Sequence, residues 1–246
     1  MAYIVVSALS HAGLLRDSNE DSLVVGPWTL CSTVTESPQT LLFPLGNPLV
    51  VAVADGLGGH PAGEVASAMV ARRLSRVGPA LDSEETVRDA LEGCNRAVYA
   101  AADGDPDLIM MGTTVAGLVL TRDRVIVFNI GDSRVYGVGA EEVRELTLDD
   151  NPPLAPGERS STVVTQTLGG TPDFSPVDPH VSGTPLSTGD RWLICSDGLT
   201  DPVPDEELGG ILRVHADGRA AFELWKAAMD AGGPDNVTLA LVRIGE

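Results

Sequence analysis

The sequence predicts an α+β fold in which antiparallel sheets are covered by helices. Two observations carry this: strand-like segments come in consecutive runs, and helical segments come bunched in pairs. Neither fits the strict strand-helix alternation of a doubly wound parallel sheet. Residues 2–9 and 21–25 read as strands, and LVVAVA at 49–54 is a continuous apolar run of buried-strand type. Residues 26–48 carry Pro27, Pro38, Pro44 and Pro48, so this stretch is expected to be a loop excursion with at most one short hairpin. Two amphipathic helices follow. In AGEVASAMVARRLSRV the residues Val65, Met69, Val70, Leu74 and Val77 share a face, and over residues 84–102 Val87, Leu91, Cys94 and Val98 do the same. From Thr113 the chain turns to strands: TTVAGLVLT, RVIVFNIGD, SRVYGVG and VRELT predict an antiparallel meander. Residues 149–161 are proline-rich and irregular. DRWLICSDG is a further buried strand, PDEELGGILRVH and GRAAFELWKAAMDA are helices, and NVTLALVRI closes the chain as a strand. With no internal repeat and no linker, residues 1–246 read as a single domain.

Composition narrows the function. The chain has 246 residues, with 35 Asp and Glu against 16 Lys and Arg, a formal charge of -19. Nucleic acid and anionic membranes are therefore poor partners. A protein this acidic that handles an anionic substrate needs local positive charge, which bound divalent cations supply. Cys31, Cys94 and Cys195 form no CxxC pair and no zinc-like spacing with the four histidines. No Lys or Arg precedes Arg16, so the charged start of a secretory signal is missing, and no apolar run is long enough to span a bilayer. A cytoplasmic protein is expected.

The stretch VVAVADGLGGHPAG, residues 50–63, admits a tight turn, a nucleotide-phosphate cradle or a metal-binding carboxylate. The dinucleotide fingerprint fails, because Pro61 stands where the third glycine belongs, and the only lysine, Lys226, is far from any Walker position. Asp-Gly occurs at Asp55, Asp103, Asp197 and Asp217; the second and fourth sit in polar segments and read as ordinary turns. Asp55 and Asp197 instead end apolar strands, where an unpaired carboxylate is costly and a metal ion would relieve the cost. Asp132 ends another apolar run, Asp235 lies just before one, and RDSNED places Arg16 four and five residues ahead of Glu20 and Asp21. Spacing alone leaves turns and a shared hard-cation site both open.

Taken in order, RDSNED, VAVADGLGGHPAGEVAS, MGTTVAGLVL, NIGDSRVYG, LICSDGLTDPVPDEEL and GGPDNVTLALV resemble the motifs of the bacterial metal-dependent, type-2C (PPM) protein Ser/Thr phosphatases, over residues 7–244. The resemblance implies a four-layer α-β-β-α sandwich, two antiparallel sheets flanked by helix pairs, forming one catalytic domain over residues 1–246. It implies that Asp55 bridges two Mn²⁺ or Mg²⁺ ions, that the Gly56 carbonyl binds one, and that Asp197 and Asp235 complete the first ion's ligands. Glu20 and Asp21 match positions that hold metal or its waters, Asp132 matches a ligand of a third, weaker ion, and Arg16 matches the phosphate-binding arginine. The implied activity is hydrolysis of phosphoserine and phosphothreonine on cytoplasmic proteins by a metal-activated water, opposing a Ser/Thr kinase, by a monomer. A phosphatase dedicated to one regulatory partner, such as an anti-sigma antagonist, or a non-catalytic phosphoprotein-binding scaffold are the alternatives; the intact acidic set and Arg16 speak against the scaffold.

The chain departs from the family pattern in three places. Leu57 stands where many relatives have a histidine, leaving His60 and His11 as nearby candidate proton donors. Gln166 replaces a common arginine. The flap beside the cleft is shortened to LDDNPPLAPGERSSTVV, and residues 26–48 offer a replacement contact surface.

Overall fold

The computed structural model describes residues 2–57, 62–153, 161 and 163–246. The first half runs β1 (Tyr3–His11), β2 (Ser22–Val25), β3 (Trp28–Cys31), β4 (Gln39–Pro44), β5 (Leu49–Ala54), α1 (Gly63–Val77) and α2 (Glu84–Ala102). Strands β6 (Gly112–Thr113), β7 (Val115–Leu120), β8 (Arg124–Ile130), β9 (Arg134–Val138) and β10 (Val143–Glu145) follow. The rest is β11 (Leu168–Gly169), β12 (His180–Pro185), β13 (Arg191–Cys195), α3 (Asp197–Thr200), α4 (Asp205–Val214), α5 (Asp217–Asp230) and β14 (Val237–Gly245).

Two six-stranded antiparallel sheets stack face to face. One has the order β10-β9-β13-β14-β1-β4, the other β12-β8-β7-β5-β2-β3, and β6 with β11 makes a small third pairing. Strand periodicity explains the continuous apolar runs. In β5, Leu49, Val51 and Val53 face the layer between the sheets, whereas Val50, Ala52 and Ala54 face α1 and α2. In β14, Ala240, Val242 and Ile244 face the middle layer, while Val237, Leu239 and Leu241 meet α5. With both faces covered, a central strand has no polar side to show, and the four-layer sandwich follows. The predicted helix faces are the packed ones: Val87, Leu91, Cys94 and Val98 of α2 are all buried, and Ser83 caps that helix in a capping box with Thr86.

The structure corrects four expectations. Residues 26–48 are not a loop excursion: β3 pairs with β2 as a hairpin and β4 pairs with β1, each at the edge of a different sheet. Their half-exposed faces dilute the apolar signal, and Pro44 is tolerated because β4 is an edge strand. Strand β12, missed for the same reason, is the opposite edge beside β8. The predicted meander is two hairpins in two sheets. β7 pairs with β8, but β9 pairs with β13 and β10, so the chain crosses between layers at residues 131–133. Gly131 makes that corner with φ +96°, and a Cβ there would lie 2.6 Å from Thr114 Cγ2. Finally, Asp217 is no ordinary turn: it is buried at the start of α5 and pairs with Arg191 at 2.8 Å and Arg243 at 2.7 Å.

The corner sets a measurable expectation. Gly131→Ala combines a left-handed φ with a steric clash, so it lowers stability by about 1–3 kcal/mol, read as an earlier urea midpoint at unchanged slope.

Candidate active site

Five segments deliver side chains to one end of the sandwich. Asp55 follows β5, Asp197 lies just beyond β13, and Asp235 lies two residues before the start of β14. Glu20 and Asp21 lead into β2, Asp132 sits on the β8-β9 corner, and Arg16 lies in the connection after β1. All of these except Asp21 line a cleft of about 770 Å³. Arg16 is the only basic side chain among the described residues that line it.

Local packing explains why glycine follows two of the aspartates. A Cβ at Gly56 would lie 2.5 Å from the Gly63 backbone and 2.8 Å from the Glu20 carbonyl oxygen. A Cβ at Gly198 would lie 1.9 Å from the Asn236 carbonyl oxygen and 3.4 Å from Asp235 Cβ. Each glycine is thus the point where a second acidic segment crosses against the first, and the crossings bring Asp55 toward Glu20 and Asp197 toward Asp235. The Asp55 carbonyl is itself pinned, accepting from Thr114 N at 2.8 Å and from Thr113 Oγ1 at 2.7 Å. Asn236 fixes the Arg16 segment: its Nδ2 donates to Ala12 O (2.9 Å) and Ser18 O (2.8 Å), and its Oδ1 accepts from Glu20 N (2.7 Å).

The electrostatics of this end are those of like charges held together. Burial raises the Asp197 carboxyl to about 8, and the neighbouring Asp132 charge adds to the shift. Burial likewise pushes Asp132 up to about 6 and Asp21 to about 6, the latter against opposing hydrogen bonds from Thr238 and Ser196. Asp55 is raised well above the ordinary carboxylate range by burial and by the charges of Asp21 and Asp197. Among the described residues lining the cleft the one opposite charge is Arg16, whose Nη2 lies 2.7 Å from Asp235 Oδ2, and this pair is about two-fifths exposed.

A divalent cation fits this donor set. Hard oxygen ligands predominate, carboxylates are kept protonated only by mutual repulsion and burial, and Glu20 Oε2 is buried with no hydrogen-bond partner. Among the described residues no three His, Cys, Asp or Glu side chains already form a closed metal cage. The donors are spread along the cleft, an arrangement suited to Mg²⁺ or Mn²⁺, which keep several waters.

The sequence-predicted residues divide accordingly. Arg16, Glu20, Asp55, Gly56, Asp132, Asp197 and Asp235 come together in the cleft. Asp21 does not line it: the residue is fully buried, its Oδ2 accepts from Ser196 Oγ at 2.9 Å, its Oδ1 has no hydrogen-bond partner, and its charge acts on Asp55 from behind. His60 falls outside the described residues, as do residues 154–160 of the shortened flap. His11 turns away from the cleft, accepting from Gly13 N at 3.0 Å and standing edge-on to Trp225. Asn236, Asp150 and Asp201 were not singled out from sequence and also line the cleft. Asn236 had a usable signal, a second polar residue directly after Asp235 and before an apolar strand.

Comparison with known proteins identifies relatives over nearly the whole chain. The family model for protein phosphatase 2C matches residues 44–242. Serine/threonine protein phosphatase PstP of Mycobacterium tuberculosis is 32% identical over 97% of this chain, which spans only 44% of PstP's own length. Protein phosphatase PhpP of Streptococcus pneumoniae is 31% identical, with 98% of each chain covered. The crystal structure of the catalytic domain of PstP, in complex with two manganese ions, superposes with a TM-score of 0.81 at 31% identity over the full length of both chains. A cleft built from carboxylates at strand ends, on a sandwich shared with those proteins, places this chain in the protein phosphatase 2C family.

Proposed function

We propose that this protein is a metal-dependent phosphatase that removes phosphate from serine and threonine side chains of proteins. The observation that carries the reading is the convergence of Asp55, Asp197 and Asp235 from three separate strand ends in a cleft whose one described cation is Arg16. Asp55, the Gly56 carbonyl, Asp197 and Asp235 would hold two Mn²⁺ or Mg²⁺ ions, with Glu20 facing their waters and Asp132 with Asp197 serving a third, weaker ion. Bound there, such ions neutralise phosphate charge and make water a nucleophile near neutral pH. Asp21 acts through Asp55, holding its carboxylate from behind. Arg16 releases Asp235 and grips two phosphate oxygens through its planar fork, orienting the ester for in-line attack. Among the described residues the cleft has no imidazole, so His60 remains the histidine candidate for protonating the leaving oxygen. A protein kinase acting on the same substrates is the expected counterpart, and a monomer in the cytoplasm the expected setting. No helix among the described residues is long and apolar enough to cross a membrane.

Three outcomes follow from this assignment. A phosphothreonine peptide is hydrolysed with Mn²⁺ and not with EDTA, and Asp55→Asn lowers kcat by at least about a thousandfold; Mn²⁺-independent turnover by the folded protein would contradict the metal role. Arg16→Ala raises KM for the same peptide about tenfold or more and Arg16→Lys recovers only part of it, as steady-state kinetics will read.

The third concerns the metal-free protein. Asp197, Asp132 and Asp21 bind protons more tightly folded, at about 8, 6 and 6, than unfolded, near 3.8. The folded state therefore holds more protons across that window, and stability falls as pH rises through it. In EDTA, urea unfolding should show stability falling steadily from about pH 5 to about pH 8. Asp197→Asn should flatten this slope and stabilise the metal-free protein at about pH 8, while Mn²⁺ should flatten it in the wild type.

A further inference from the structure

The cleft has two chemically different ends. At one, Asp132, Asp197 and Asp201 also border an adjoining cavity of about 250 Å³. The other end shares none of these residues. Its wall includes Leu57, Thr167, Gly170, Thr171, Pro176 and Val177, none of them ionisable, and the carboxylate that borders it, Asp150, is already engaged, by Gly131 N and Gln166 Nε2 on one oxygen and by His180 on the other.

This uncharged wall starts two residues from Asp55 and is fixed in place. Leu57 N donates to Gly112 O at 3.0 Å, and Gly170 N donates to Met111 O at 2.9 Å. Asn95 on α2 ties down the segment beyond, its Nδ2 donating to Ser175 O at 2.7 Å and its Oδ1 accepting from Gly169 N at 2.9 Å. Thr171 hydrogen-bonds the Tyr99 hydroxyl, the Tyr99 ring stands edge-on to the exposed Phe174 at 5.1 Å, and Val177 packs onto the core beneath.

A phosphorylated residue seated between Arg16 and the carboxylates must send its peptide chain out of the cleft. We infer that the uncharged arm receives the residues on one side of the phosphorylated residue, and that it selects substrates whose flank on that side carries no charge. The inference rests on the phosphatase reading and extends it to substrate choice. A charged side chain entering the arm would lose water against backbone, threonine and aliphatic surface without gaining a free counter-ion among the described residues of the wall. A small or apolar one would bury surface against Leu57, Pro176 and Val177. The net charge of -19 acts differently, drawing basic peptides from a distance on either side and fading with salt.

The test uses phosphothreonine peptides with three flanking Ala, Lys or Glu residues on the N-terminal or the C-terminal side, assayed with Mn²⁺ in about 0.5 M salt to screen the long-range field. On one side only, both Lys and Glu should lower kcat/KM about tenfold or more relative to Ala; on the other the spread should stay within about threefold. In Thr171→Lys, an exposed position, Glu should overtake Lys on the sensitive side. Flank-independent turnover, a Lys preference on both sides, or an unchanged order in Thr171→Lys would overturn the inference while leaving the phosphatase intact. Failure to hydrolyse any peptide, or p-nitrophenyl phosphate, would overturn the phosphatase reading and this inference with it.

Discussion

Mutual repulsion among buried carboxylates is the constraint on which the rest of this molecule depends. Burial raises the carboxyls of Asp55, Asp197, Asp132 and Asp21, and the charges of Asp21, Asp197 and Asp132 disfavour ionisation of Asp55 further, so the metal-free protein holds protons on this cluster more tightly than free carboxyls would. Left to relax, such a cluster would spread apart. It does not, because every member is anchored in backbone that the sandwich has already immobilised: strand ends backed by three apolar layers, and glycines where a neighbouring segment leaves no room for a side chain. The apolar core is thus the counterweight to an electrostatically unfavourable site, and the site in turn is poised to gain free energy from a cation.

The same reasoning gives Asp21 its place. It lies behind Asp55, satisfied on one oxygen by Ser196 and unpartnered on the other, and it has no access to the cleft. A second carboxylate there makes Asp55 a richer donor toward a cation than a hydrophobic backing would. Glu20, one residue earlier, is turned the other way, because consecutive side chains leading into a strand point to opposite sides.

Much of this was legible in the amino-acid sequence, for a physical reason. A carboxylate ending a run such as VVAVA or RWLIC is an energetic anomaly that demands a partner, so Asp55, Asp197 and Asp132 stood out one by one. Their convergence was not legible from spacing, since it depends on which strands are neighbours, and only the resemblance between motifs supplied it. The edges of the sheets were the opaque part. β3, β4 and β12 each have one partner strand and exposed faces, so their side chains alternate without a strong apolar signal. The crossing at Gly131 was hidden because a strand that changes sheets looks, in sequence, like one that turns back beside itself. Asp217 was misread because its two arginine partners come from other parts of the chain, Arg191 and Arg243.

At the centre of one sheet, β1 lies along β14 with Tyr3 opposite Gly245 and His11 opposite Val237. This is the most distant pairing the topology contains, and its loop-closure cost must be met before the sheet is whole. The consequence is temporal. While the chain is being synthesised, β1 has only β4 to pair with, and its inner edge stays open until the last strand arrives. Arg16 likewise lacks its ion-pair partner, and the Glu20 amide its acceptor, until Asp235 and Asn236 are in place. The cleft end of the molecule therefore assembles only after translation of residues 235–245, and a chain stalled before them would leave both β1's inner edge and the cleft unfinished.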